Sequence, residues 1–206
     1  MAERPESVLL QQFARYPEEG SVKTRLQVEL SPGAACAVHM ELVALTARQL
    51  LAAALGPVEI WVDQSGEHAL IADCLQLGMA GRRLQPQGAN LGVRMLAALE
   101  DGLSRYERVI LVGSDCPGLD PDYLRAAATA LENRDLVLGP SDDGGYVLIG
   151  CRRVHPGVFA GVAWGGDQVL EQTLQRLQSL NLSVGLLPER YDVDTPSDLR
   201  RWRNSC

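Results

Sequence analysis

Clustered positive charge is missing from this chain, and its absence removes a class of partner. The formal net charge is −7 over 206 residues, and no basic tract of five or more residues occurs. A nucleic-acid surface needs grouped cations against the phosphate backbone. Nucleic acid is therefore not an expected partner, and any phosphate-bearing ligand must be small and held by local charges or a metal. Cysteine pairing is missing too: Cys36, Cys74, Cys116, Cys151 and Cys206 are odd in number, scattered, and never spaced C-x-x-C. That pattern argues against a disulfide frame or a structural zinc site and for reduced thiols in a cytoplasm. His39, His68 and His155 are equally dispersed, which leaves a histidine-based metal centre little support. The start, Met1–Glu6, is charged and has no signal-peptide pattern. The longest apolar stretch, around Leu42–Leu55, is broken by Arg48 and Gln49, so no membrane span is expected. Hydrophobic residues at 46% and charged residues at 22% suit a soluble globular protein, read as one domain over 1–206. The oligomeric state is open, a homodimer included.

What is present alternates. Strands are predicted at Ser7–Ala14, Val58–Val62, Arg82–Gln85, Arg108–Val112, Leu136–Leu138, Gly145–Ile149 and Ser183–Leu187. Helices are predicted at Pro32–Leu55, Glu67–Leu77, Asn90–Leu103, Pro121–Asn133, Asp167–Leu180 and Ser197–Trp202. Ser31-Pro32 supplies a cap and first turn, and Gly56-Pro57 a stop. The order βαβα implies an α/β fold, a three-layer α/β/α sandwich around a mostly parallel mixed sheet.

Five segments carry candidate chemistry. Val109–Val112 is a buried apolar run ending in Gly113-Ser114-Asp115. An acid at the carboxyl end of such a strand stands where open α/β sheets bind ligands, and it suits a hard divalent cation bridging phosphates. The bland alternative is a helix cap. In Phe13–Leu26, Arg15, Lys23 and Arg25 are candidate phosphate clamps, with a solvated basic loop as the alternative. Glu18 and Glu19 oppose a polyphosphate there. The segment is not a Walker loop, because Lys23-Thr24 does not follow a glycine directly, and the chain has no G-x-G-x-x-G. Gly139–Tyr146 places Asp142 and Asp143 in a glycine-rich turn, either a plain hairpin turn or a site with one carboxylate as general base. Asp192 and Asp194 flank Val193, and only one of them is expected to face Asp115. Gln85–Met95 carries Gly88 and Gly92 at a helix start suited to phosphate or base acceptors, with Arg94 adding charge. Trp164-Gly165-Gly166-Asp167 reads as a mobile loop with Asp167 as a helix cap and Trp164 as an acceptor platform.

In order and spacing, Phe13–Leu26, Gln85–Met95, Gly113–Leu119, Gly139–Tyr146 and Asp192–Leu199 resemble the nucleotide-diphospho-sugar transferase superfamily, whose fold is the GT-A type. The nearest branch is the small bacterial glycosyltransferase family of the arsenosugar-biosynthesis type, related to molybdenum-cofactor and 2-phospholactate guanylyltransferases. The resemblance implies a transferase taking a nucleotide or nucleotide-sugar donor and a small acceptor, with Mg²⁺ or Mn²⁺ as cofactor. Asp115 and Asp194 would hold the metal. Lys23, Asp115 and Asp143 would be catalytic. Ala14, Arg15, Gly20, Lys23, Arg25, Gly88, Asn90 and Arg94 would contact the nucleotide. Asp142, Gly144, Gly145, Tyr146 and Trp164 would face the acceptor. Departures fall at Arg15, at Glu18-Glu19, at Asn90 and in the Trp164 loop. A nucleotidyl transfer releasing pyrophosphate and a catalytically degenerate nucleotide binder remain alternatives.

Overall fold

The computed structural model describes residues 8–88 and 90–205. Met1–Ser7, Ala89 and Cys206, on which parts of the sequence expectations fall, lie outside the described residues. Four strands are laid down first: β1 (Val8–Ala14), β2 (Val58–Val62), β3 (Gly81–Leu84) and β4 (Arg108–Val112). Three helices connect them: α1 (Pro32–Ala53), α2 (Ala69–Gln76) and α3 (Leu91–Arg105). Then come α4 (Pro121–Ala130), β5 (Leu136–Pro140), β6 (Tyr146–Cys151), α5 (Val169–Ser179), β7 (Val184–Leu186) and α6 (Pro196–Arg203). All seven strands join one sheet in the order β3-β2-β1-β4-β6-β5-β7.

The sheet is mixed. β1 pairs in parallel with β2 and β4, whereas β6 runs antiparallel to both β4 and β5. A run buried on both faces carries the same apolar signature in either direction, so sequence could not orient β6. Alternation along the strands feeds two cores. Leu10, Ile110 and Val137 face α1, α2 and α4 on one side, while Leu9, Leu111 and Leu138 face α3 and α5 on the other. A third cluster of Leu26, Val38, Leu42, Val193 and Trp202 fastens α6 and a short 3-10 helix, Thr24–Val28, onto the outer side of α1. The sequence predicts loop where this 3-10 helix forms.

Caps are placed as sequence chemistry requires. Ser31, Asn90 and Asp120 each accept a backbone N–H from their helix's first turn, and Thr195 and Asp198 form a capping box. Gly102 has a packing role near the end of α3. It lets α3 lie close on the sheet, because a Cβ there would stand 2.6 Å from Val109 Cγ2. The apolar length of α1 exceeds the sequence estimate: by length and composition it is apolar enough to cross a membrane, with mean hydropathy 1.2. Val43, Ala47 and Leu50 nevertheless point into the core, so its apolar face is used within the fold.

Candidate functional site

Strand order reverses between β1 and β4: β2 and β3 lie to one side of β1, and β6, β5 and β7 lie beyond β4. At such a switch point the two following loops diverge and leave a crevice at the strands' carboxyl ends. A cleft of ≈ 730 Å³ opens there. Two buried glutamines help hold its floor. Gln12 Nε2 donates to Val43 O (2.9 Å) and to Ser114 Oγ (3.0 Å), and Ser114 Oγ donates to Phe13 O at 2.7 Å. The ends of β1 and β4 are thereby locked side by side with Asp115 just beyond. Gln85 Nε2 donates to Trp61 O (2.9 Å) and bridges to the end of β2. Asp63 accepts the Tyr16 N–H at 2.7 Å and anchors the loop after β1.

The centre of the cleft is a cation between two acids. Lys23 Nζ lies 2.6 Å from Asp115 Oδ1 and donates to Asp194 Oδ1 at 2.9 Å. Its side chain is only 4% exposed. The backbone at Lys23 is left-handed, with φ 49° and ψ 42°, a conformation that costs a non-glycine residue and persists where surrounding contacts enforce it. Burial works to lower the Lys23 pKa, but the charges and hydrogen bonds of Asp115 and Asp194 outweigh it and raise the net value. Lys23 is the only lysine in the chain; every other strong base is arginine.

Asp194 reaches this point because Val193 donates its N–H to Asp115 O at 2.9 Å and buries its own side chain completely. Of Asp192 and Asp194, only Asp194 lines the cleft with Asp115. Asp192 is pushed up to about 8 by burial first and then by the charges of Asp115 and Asp194. His39, on α1, also lines the cleft, with Nε2 3.1 Å from Arg15 O. Burial holds its pKa below the usual value. Cys116 is core, its thiol pushed up to about 12 by burial.

Other predicted residues divide by position. Ala14, Arg15, Arg25, Asn90, Arg94, Tyr146 and Trp164 line the cleft with the central trio. Arg25 is 72% exposed, its Nη1 3.8 Å from Asp194 Oδ2. Gly20 and Gly88 serve turns at positive φ (83° and 68°) and do not line the cleft. Glu18 and Glu19 also lie outside the lining: Glu18 accepts from Ser21 Oγ at 3.0 Å, and Glu19 lies against Gly33 in the first turn of α1.

The residues from Asp142 to Gly145 do not line the cleft. Asp142 pairs with Arg201 at 3.1 Å, and Asp143 Oδ1 accepts the Gly145 N–H at 3.0 Å. The close approach that Gly144 permits is to protein, not to a ligand: a Cβ there would stand 2.0 Å from Asp167 O. Asp167 is not the cap of α5, which follows Gln168 and has no side-chain cap. Tyr146 turns only its ring to the cleft, its hydroxyl being buried. Trp164 rests on Gly92, where a Cβ would lie 2.5 Å from the indole. Gly92 therefore seats an aromatic ring rather than a phosphate.

The singular lysine and His39 are the site features that sequence reasoning missed. The first signal was present in the residue count.

Among the described residues, no group of three or more His, Cys, Asp or Glu is arranged to hold a metal ion. Two carboxylates nevertheless fit magnesium or manganese, which commonly take one or two from protein and the rest from phosphate and water. The Lys23 ammonium serves as a stand-in, since both Asp115 Oδ1 and Asp194 Oδ1 already converge on one cation. As hard oxygen donors, the pair suits such an ion.

The fold is that of nucleotide-diphospho-sugar transferases. A protein provisionally described as one, from Desulfovibrio desulfuricans G20, superposes with TM-score 0.87 at 31% identity, over 97% of this chain and 87% of that one. The chain belongs to the DUF2064 family, described as an uncharacterized protein conserved in bacteria, whose profile matches residues 46–166. At the level of fold alone, CMP:2-keto-3-deoxy-manno-octonic acid synthetase complexed with CTP gives TM-score 0.63 at 12% identity, over 97% and 98% of the two chains. A Mycobacterium tuberculosis H37Rv protein in complex with manganese gives 0.54 at 18%, over 95% and 97%. No curated protein matches the chain.

Proposed function

We propose that this protein is a metal-dependent transferase of one domain that takes a nucleotide-sugar donor and glycosylates a small acceptor in a reducing cytoplasm. The observation that carries the reading is the convergence of Asp115 and Asp194 on a single cation position at the centre of the switch-point cleft. Four buried free thiols, Cys36, Cys74, Cys116 and Cys151, support the reducing setting. The family likeness in the sequence favours the small bacterial glycosyltransferase branch of the arsenosugar-biosynthesis type.

Asp115 and Asp194 would hold Mg²⁺ or Mn²⁺, which neutralises charge on the donor diphosphate and on the departing nucleoside diphosphate. Arg15, Arg25 and Arg94 line the same cleft and would orient phosphate oxygens through guanidinium N–H groups. The start of α3, capped by Asn90, adds backbone donors at a positive helix end. In the same cleft Trp164, which rests on Gly92 of α3, and the Tyr146 ring would present apolar surface to the acceptor. Asp142 and Asp143, in the turn that leads into Tyr146, would meet the acceptor's polar end.

A second reading is nucleotidyl transfer, in which an acceptor phosphate attacks the donor's α-phosphorus and pyrophosphate leaves. The density of cations favours it, since Arg15, Lys23, Arg25 and Arg94 together match a triphosphate. Product analysis separates the two. Purified protein would be screened by thermal shift against UDP, GDP, CTP, GTP and nucleotide sugars with and without Mn²⁺, and then assayed on whichever ligand stabilises it. Release of nucleoside diphosphate supports glycosyl transfer, and release of pyrophosphate supports the second reading. No metal-dependent shift with any nucleotide would sink both.

A further inference from the structure

The central cation position is already filled, and the residue filling it is unlike every other base in the chain. Lys23 Nζ contacts one oxygen of Asp115 and one of Asp194, at 2.6 and 2.9 Å. A divalent ion drawn by the same two oxygens would have to stand where the ammonium stands. Two cations cannot share that point, because unit charges so close together repel strongly and the Lys23 side chain is only 4% exposed. The chain uses arginine at every other strongly basic position. Lysine differs in two ways that matter here. Its charge is a compact point that fits between two single oxygens, and its flexible four-carbon stem can carry that charge elsewhere. A planar guanidinium fork would bind the carboxylates side-on and resist leaving. The left-handed backbone at Lys23 (φ 49°) is the third sign: a conformation that costs a non-glycine residue is kept where its contacts with Asp115 and Asp194 enforce it.

We propose that Lys23 is an internal counter-cation, and that it and the divalent metal are alternative occupants of the Asp115–Asp194 position. Without metal, the ammonium keeps the two carboxylates together and the cleft assembled. Metal entry displaces the ammonium into the cleft, where Arg15 and Arg25 also lie. The released charge then adds to the site that receives the donor's phosphates. Lys23 is thus a positioning residue that couples metal binding to anion binding, and metal should bind before nucleotide. The inference rests on the metal reading proposed above.

The test uses metal-stripped full-length protein, no nucleotide, and Mn²⁺ alone as the probe, with free Mn²⁺ followed by electron paramagnetic resonance. Lys23→Met keeps the length of the side chain and removes its charge. It is expected to bind Mn²⁺ at least about tenfold more tightly than the native protein, the competing cation being gone. Equal or weaker binding by a folded Lys23→Met overturns displacement. Because that variant leaves two carboxylates without their partner, a second measurement works on the native protein. Lys23 is the only side-chain amine, so acetylation by an amine reagent is read at one residue by mass spectrometry. Lys23 should be protected in metal-free protein and become modified as Mn²⁺ saturates. Unchanged labelling while Mn²⁺ binds also overturns the proposal. If neither native protein nor Lys23→Met binds Mn²⁺ at millimolar concentration, the metal reading itself has failed. Binding that survives unchanged in Asp115→Asn places the ion elsewhere and defeats the proposal separately.

Discussion

The N–H of Val193 donates to the carbonyl of Asp115 across 2.9 Å, and this one backbone bond joins residues 78 positions apart into the same site. Asp115 follows the central strand β4, whereas Asp194 belongs to an extended segment that enters from the far end of the chain. With Val193 buried in the cluster around Trp202, the segment has one register against β4. Asp194→Asn should therefore keep the fold while weakening Mn²⁺-supported nucleotide binding by about tenfold or more, on the order of 1.4 kcal/mol. Thermal shift with and without Mn²⁺ measures it. An equal metal-dependent shift in Asp194→Asn would remove this residue from the site.

The seat of Trp164 is open to a one-methyl test. Gly92→Ala brings a Cβ into the indole ring, where the nearest atoms stand 2.5, 2.8 and 2.9 Å away. Gly92 lies in the first turn of α3, where the gain from alanine is less than the roughly 1 kcal/mol of a helix interior, so global stability should change little. Trp164 should leave its place, with red-shifted emission and easier acrylamide quenching. Trp61 and Trp202 are buried (6% and 4% exposed) and contribute a steady background. Quenching identical to the native protein would show that the ring accommodates the methyl in place.

A buried ion pair far from the cleft governs stability. Glu59 on β2 is 7% exposed and accepts from Arg105 Nη1 and Nη2 at 2.8 and 3.0 Å. Burial pushes its pKa up, yet the hydrogen bonds and charge of Arg105 overcome this and leave it lowered. Glu59→Gln strands part of the Arg105 charge and should cost about 3 kcal/mol. That corresponds to a Tm fall on the order of 6–12 °C for a chain of this size. Pairing Glu59→Leu with Arg105→Met should recover much of the loss, a comparison that calorimetry can make.

Acid sensitivity should trace partly to Asp135. Hydrogen bonding from Arg153, then from the Ser183 N–H and Oγ, holds its carboxyl at about 2 against 3.8 for a free aspartate. A depressed folded value means the stabilisation is present above the unfolded pKa and is lost as pH falls through the folded one. The stability gap between native protein and Asp135→Asn should stay flat from about pH 7 to 5 and shrink between about pH 4 and 2. Denaturant midpoints across that range are the measurement. A gap that widens on acidification would reverse the assignment.

How far the fold was legible depends on which physics marked each element. β2 and β4 match their expected bounds, because short runs rich in β-branched and apolar residues end there at Asp63 and at Gly113. α1, α3 and α4 start where Ser31, Asn90 and Asp120 announce a cap. Their ends were overestimated for α1 and α4, since helix termination depends on packing that periodicity does not encode. α5 begins two residues late because Gly144 and the Asp167 carbonyl claim the preceding turn. In the site, Asp115, Lys23 and Asp194 were visible as motif residues and do meet. Their mutual contact was not visible, because it depends on the register set by Val193. Asp142 and Asp143 looked like cleft residues because their glycine setting implied ligand approach, when the approach is to another stretch of backbone.

That approach has a mechanical consequence. The turn from Ser141 to Gly145 is gripped on two sides: Asp142 N–H and Ser141 pair with Arg190 on the path to Asp194, while Gly144 O accepts from Leu170 N–H just beyond the Trp164 loop. The two walls of the cleft, one acidic and one aromatic, are thus yoked to a single five-residue hinge pin. Lengthening or shortening that pin by even one residue would shift both walls together. Change in this cleft is therefore cheap by substitution on either wall and expensive by insertion at the turn between them.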